Sequence, residues 1–175
     1  RYLHPIPRRQ RQLCIRDSSN GAFLNKTYGM IRGELFTQTL LVQFAQCSLT
    51  ANPKNKASWI IETFPTALVY GLFPELTPID HKTKSKKPYA HYQRDMRRLL
   101  SSIENILKEL KNPSSIIEQV EKWRKEINKK SHKHIEDAID GFLCAYGLYL
   151  MDNGQAEVVS FGDEENGFIV HAEKR

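Results

Sequence analysis

A chain of 175 residues with 40% hydrophobic side chains is long enough for one domain with an ordinary core, and too apolar for a disordered chain. Its 26 Lys and Arg against 20 Asp and Glu give a net charge of +6, which suits a soluble surface and favours a polyanionic partner such as nucleic acid. Cys14, Cys47 and Cys144 are an odd, sparse set with no C-x-x-C pair, so neither a disulfide framework nor a zinc site is indicated; with no transmembrane run or signal-peptide pattern, a reducing, cytoplasmic setting without a membrane is expected.

The opening RYLHPIPRRQRQLCIRDSSNG is basic, carries Pro5 and Pro7, and reads as a loop entering a short helix that stops near Asn20-Gly21. From Met30 to Cys47 the spacing predicts a helix, with an end near Asn52-Pro53. SWIIETF (58–64) is short and β-branched and predicts a strand; Pro65 then suits the first turn of a helix reaching about Phe73. Residues 74–88, with Pro74, Pro78, Pro88 and the run HKTKSKKP, read as a solvated loop.

Met96, Leu99, Leu100, Ile103, Ile106, Leu107 and Leu110 mark a long amphipathic helix over 89–110, broken at Asn112-Pro113. A second helix from Ser114 places Ile116, Ile117, Val120, Trp123 and Ile127 on one face, with Trp123 in the core. In the third, HIEDAIDGFLCAYGLYL (134–150), Ile135, Ile139, Phe142, Leu143, Tyr146 and Leu150 recur at helical spacing. Ala138, Gly141, Ala145 and Gly147 are small enough to admit a close neighbour, Cys144 packs as a small hydrophobe, and the helix ends near Asn153-Gly154. The tail AEVVSFGDEENGFIVHA predicts two strands around an acidic turn. No internal repeat is present. The class is α/β, one domain over 1–175, with more helix than strand.

Three carboxylates, Glu136, Asp137 and Asp140, crowd the front of the last helix. Asp137 and Asp140 are three apart and share a face, where like charges repel unless a cation sits between them. Glu62 ends the predicted strand just before a helix, where open α/β sheets build their sites. Glu62, Asp137 and Asp140 are therefore candidate catalytic residues and ligands for magnesium or manganese, hard ions that select carboxylate oxygens. Two such ions about 4 Å apart stabilise the attacking and leaving oxygens in phosphodiester cleavage. The competing reading of the two aspartates is helix N-terminal electrostatics, worth about 0.3–1 kcal/mol each; for Glu62 it is pairing with a nearby lysine.

The runs RRQRQ (8–12), KTKSKK (82–87) and KWRKEINKKSHKH (122–134) are candidate contacts to a phosphate backbone, or else solvated faces. Trp59, Tyr89 and Tyr92 are candidate stacking residues. His132 and His134 lie close enough to the acids to position a water or touch phosphate, or sit at a helix start without a role. No Gly-rich phosphate loop and no Ser or Cys nucleophile with a matching base can be assembled.

IIETFPTALVYGLF, KPYAHYQRDMRRLL, HIEDAIDGFLCAYGLYL and a closing hairpin ending GFIV, in that order, resemble the predicted ribonuclease-H-like nucleases, a family catalogued as a domain of unknown function. Its recurrent marks are Glu-x-aromatic-Pro, a later Arg and an Asp-Ala-x-x-x-Ala helix, matched here by Glu62-Thr63-Phe64-Pro65, by Arg94 or Arg97, and by Asp140 within DGFLCAY. The likeness covers about residues 57–171, with a looser match around RQLCIRD. It implies a helix-rich ribonuclease H-like fold whose acids gather at a sheet edge on magnesium or manganese. The last helix is similar to that of the RuvC-type resolvases, and Asp137 and Asp140 match their acidic pair by position. The implied activity is metal-dependent hydrolysis of DNA or RNA, with Lys86, Lys87, Arg94 and Arg97 positioning the backbone.

In that superfamily the first acid lies on a first strand near the amino terminus. Here no acid precedes Asp17 and no apolar strand precedes Arg8, so the chain is expected to lack the amino-terminal strands of the fold, whether they belong to an upstream segment or a partner or are lost. Two further expectations follow: a catalytically incomplete domain that binds nucleic acid or serves as a scaffold, and an inert half awaiting its partner strands, which would self-associate through an exposed sheet edge.

Overall fold

The computed structural model describes residues 32–44, 48–50, 52–53, 58–82, 87–110, 114–128, 132–163 and 167–174. In chain order these form α1 (Arg32–Gln43), β1 (Ser48–Leu49), β2 (Trp59–Ile60), α2 (Pro65–Leu72), a 3-10 turn (Pro74–Leu76), α3 (Tyr89–Glu109), α4 (Ser114–Glu126), α5 (His132–Asp152), β3 (Ala156–Asp163) and β4 (Gly167–Lys174). Helix predominates beside a small antiparallel sheet, an α/β composition as expected. Among the described residues no helix is long and apolar enough to cross a membrane.

The long helices form where the apolar period is cleanest. On α3, Tyr92, Met96, Leu99, Leu100, Ile103 and Leu107 are buried, and Pro88 stands at the N-cap. α4 returns along α3 as the second arm of a hairpin, burying Val120 and Trp123. Arg124 reaches back to Glu104 at 2.5 Å, and Gln93 Nε2 donates to the Ile127 carbonyl beyond the end of α4. Ile116, near the tip of the hairpin, stays exposed although its spacing placed it on the apolar face.

α5 buries Ile135, Ile139, Leu143, Gly147 and Met151, and packs on α2 and the β3–β4 hairpin. Its end is a Schellman motif: the Gly154 N–H donates to the Met151 carbonyl and the Gln155 N–H to that of Leu150, with Gly154 at φ +66°. Of the two glycines among the small residues on α5, Gly147 makes a close approach, since a Cβ there would lie 2.7 Å from Leu68 Cδ2; nothing lies within 4 Å of one at Gly141.

β3 and β4 pair antiparallel from Ala156↔Lys174 to Asp163↔Gly167. Phe168, Val170 and Ala172 join the core by strand alternation. β1 and β2 form a short parallel ladder, and the chain just after β2 reaches the hairpin through one bond, from the Val170 N–H to the Glu62 carbonyl.

Three expectations change. The helix predicted from Met30 ends at Gln43 rather than near Asn52-Pro53, because Ser48–Leu49 pair with Trp59–Ile60. Of the strand predicted over 58–64, Trp59–Ile60 alone pairs in a ladder among the described residues, against the two residues of β1. The segment read as a solvated loop buries Leu76, Ile79 and His81, three side chains too scattered among prolines and charges to show a period. The predicted helix before Asn20 lies outside the described residues.

Gly71 on α2 faces β4 so closely that a Cβ would lie 2.2 Å from the Ala172 carbonyl oxygen. Gly71→Ala is expected to destabilise by about 1–3 kcal/mol through overpacking against backbone. Gly141→Ala is expected to stabilise by about 0.5–1 kcal/mol through helix propensity alone. Denaturant unfolding of the two variants beside the wild type checks both signs.

Candidate functional site

The site grows from a buried acid on α3. Asp95 falls on the inward face between Tyr92 and Leu99 and is only 2% exposed. Burial alone would raise its carboxyl pKa. Hydrogen bonds from Arg94 Nε (2.8 Å) and from the Asp80 N–H (2.9 Å), with the charges of Arg94 and Arg98, hold it below the usual range instead. Asp80 in turn pairs with Lys87. Asp95 thus fixes the chain at 79–82 against the first half of α3.

The three carboxylates of α5 have three different fates. The helix begins at His132, so all of them lie beyond its first turn, where the macrodipole has little hold. The N-terminal reading of Asp137 and Asp140 is therefore set aside. Glu136 is in phase with Ile139 and Leu143 and is 5% exposed. It stands near Tyr89 and Tyr92, whose hydroxyl pKa values are raised by burial first and by the Glu136 charge second. Asp137 faces solvent and pairs with Lys133 one turn back, both side chains more than half exposed.

Asp140 lies between these extremes, its side chain 26% exposed. Lys82 Nζ sits 2.5 Å from both of its carboxylate oxygens. The acids also share a local field: Lys133 is held above the usual lysine range by its hydrogen bond to Asp137, with the charges of Asp137, Glu136 and Asp140 adding. Burial, and then the Asp140 carboxylate, push the Cys144 thiol up, which keeps it protonated and unreactive at neutral pH.

Glu62 is half-buried where the two ladders meet, its carbonyl engaged by β4. Among the described residues no group of three or more His, Cys, Asp or Glu is arranged to hold a metal ion, so Glu62, Asp137 and Asp140 are not brought together in that form. The Asp137–Asp140 pair on α5 remains.

Of the proposed backbone contacts, Arg97 is exposed, Arg94 is exposed but committed to Asp95, and Lys87 is exposed and paired with Asp80. Lys86 lies outside the described residues. Tyr92 is buried and cannot stack on a base; Tyr89 and Trp59 are half-buried. The rings of Tyr89 and Tyr92 lie 5.2 Å apart, with His132 edge-on to both, which joins the start of α3 to the start of α5. His134 is exposed.

Sequence reasoning missed the individual roles of Lys82 and Asp95. Lys82 was one lysine of a run. Asp95 carried a usable signal: an acid on the apolar stripe of a helix, with Arg94 beside it and Arg98 one turn on.

Asp95→Asn is expected to destabilise by about 1–3 kcal/mol, the range for losing a buried charge-assisted hydrogen bond. The folded carboxyl lies below its unfolded value of about 3.9. Its contribution is therefore complete above that value and is lost as pH falls through the lower folded-state value. Urea unfolding at neutral pH and at successively lower pH should show wild type and variant converging on the acid side.

No protein-family model, no curated protein and no solved structure matches this chain.

Proposed function

We propose that the chain is a ribonuclease H-like domain that cleaves phosphodiester bonds of nucleic acid with magnesium or manganese, Asp140 and Asp137 being the ligands. The observation that carries this reading is the state of Asp140: a half-buried carboxylate that already holds a cationic group on both oxygens, one turn from a second aspartate. The donor set fits, because magnesium is commonly held by one or two carboxylates, with water and substrate phosphate completing its shell. When bound, the ion would supply Lewis-acid polarisation of the phosphate and a more acidic water. Asp137 and Asp140 would hold it, while exposed Arg97, with Lys87 and Arg94 nearby on the same helix and loop, would draw the backbone in by charge. In the hydrolysis a water oxygen bonds to phosphorus as the ester P–O bond breaks, the water loses a proton to solvent, and the leaving oxygen gains one.

A second reading rests on the same two aspartates. Lys82 and Lys133 satisfy them without a metal, which suits a domain that binds nucleic acid and does not cut it. Cleavage assays with manganese on single-stranded, duplex and branched DNA and RNA decide between the two. Asp140→Asn should lower metal-supported cleavage by more than about a hundredfold, since even the outer partners of metal ligands are worth about 10- to 100-fold. Its thermal stability should change little, because one partly exposed ion pair contributes at most about 1 kcal/mol. Binding that persists with chelator and no cutting by the wild type would establish the non-catalytic reading.

A further inference from the structure

The Lys82–Asp140 contact joins groups 58 residues apart in sequence. The chain just before Lys82 is fixed: Ile79 and His81 are buried, and the Asp80 N–H is bonded to Asp95. From that anchor the lysine stem carries its ammonium to a point 2.5 Å from each Asp140 oxygen. A magnesium ion would sit nearer, about 2.0–2.1 Å from a carboxylate oxygen, and so inside the space this ammonium fills. Two cations cannot share it, because at such separations they would touch and repel. The four-carbon stem of lysine is flexible, and with its side chain 26% exposed Lys82 has water to swing into. Among the described residues, Lys133 is hydrogen-bonded to Asp137 and Cys144 is an uncharged thiol, so Lys82 is the cation seen on the Asp140 oxygens.

We propose that Lys82 is the exchangeable counter-ion of Asp140: it occupies the carboxylate when no metal is bound, and a divalent cation must displace it. This inference rests on the reading of Asp140 as a metal ligand. Lys82 then sets the threshold at which the site loads, since apparent affinity falls by the fraction of time the carboxylate is free. The displaced ammonium is released beside Lys87 and the start of α3, where it adds to the charge that meets a substrate phosphate.

The test is calorimetric titration of the full chain with manganese chloride alone, without nucleic acid, on the wild type, Lys82→Met, Lys82→Arg, Asp140→Asn and the Lys82→Met/Asp140→Asn double variant. Lys82→Met should bind manganese roughly three- to tenfold more tightly than the wild type, the size expected when a half-exposed ion pair stops competing. Lys82→Arg, which keeps a cation suited to both oxygens, should show no gain, and both variants lacking Asp140 should lose the site. Lys82→Gln replaces the methionine variant if circular dichroism shows that the latter has lost its fold. If binding depends on Asp140 but removal of Lys82 leaves it unchanged, the counter-ion role is overturned while the metal reading stands. If manganese does not bind, or binds regardless of Asp140, the metal reading fails and this inference fails with it.

Discussion

A single buried carboxylate organises the face that carries the candidate site. An ionised Asp95 at 2% exposure would be untenable in an apolar core; it is stable because its two oxygens receive a main-chain N–H and a guanidinium, with a second guanidinium nearby. The main-chain donor belongs to Asp80, so compensation of the buried charge also fixes a loop. With Ile79 and His81 packed beneath, that loop delivers Lys82 to α5. The contact between Lys82 and Asp140 therefore depends on a charge buried on a third element, α3.

Helix geometry explains why three acids within five residues behave so differently. Successive side chains on α5 are about 100° apart. Glu136 is carried inward with Ile139 and Leu143, Asp137 is turned to solvent, and Asp140 is left at the boundary. Each position sets what a charge can do there. An exposed i,i+4 pair such as Lys133–Asp137 contributes only a few tenths of a kcal/mol, and its orientation, with lysine on the N-terminal side, is the weaker one. Asp140 is partly desolvated, so its counter-ion matters more, yet it stays open enough for one cation to exchange for another.

Local pattern made much of this legible. α3 and α5 have unambiguous apolar periods and clear punctuation at Pro88 and Gly154, and two β-rich runs flank the acidic turn of the β3–β4 hairpin; all three are where the sequence predicts them. Even the inward turn of Glu136 follows from its phase with Ile139 and Leu143. β1 was not legible, because two residues carry no period and exist as a strand only through pairing with β2. The burial of Leu76, Ile79 and His81 was hidden for a similar reason, as packing across the fold decided it. The candidate acids were named from their spacing and from family likeness, but the partner of Asp140 is 58 residues away, and no local rule selects Lys82 from a run of lysines.

That separation bears on which ion pair matters. Bringing distant groups together normally costs the ordering of the chain that carries one of them, and a partly exposed ion pair seldom offsets it. Here the ordering is already accomplished by Asp95 and by the burial of Ile79 and His81, so Lys82 reaches Asp140 with little left to lose beyond its own side-chain freedom. A preorganised lysine makes a persistent counter-ion, whereas a lysine on an unanchored loop would leave the carboxylate free for most of the time. The same anchoring limits the consequence of displacing it: with the chain at 79–82 held from below, a cation that takes Asp140 dislodges only a side chain. Exchange at the carboxylate can then be local and reversible, and the fold beneath it need not change.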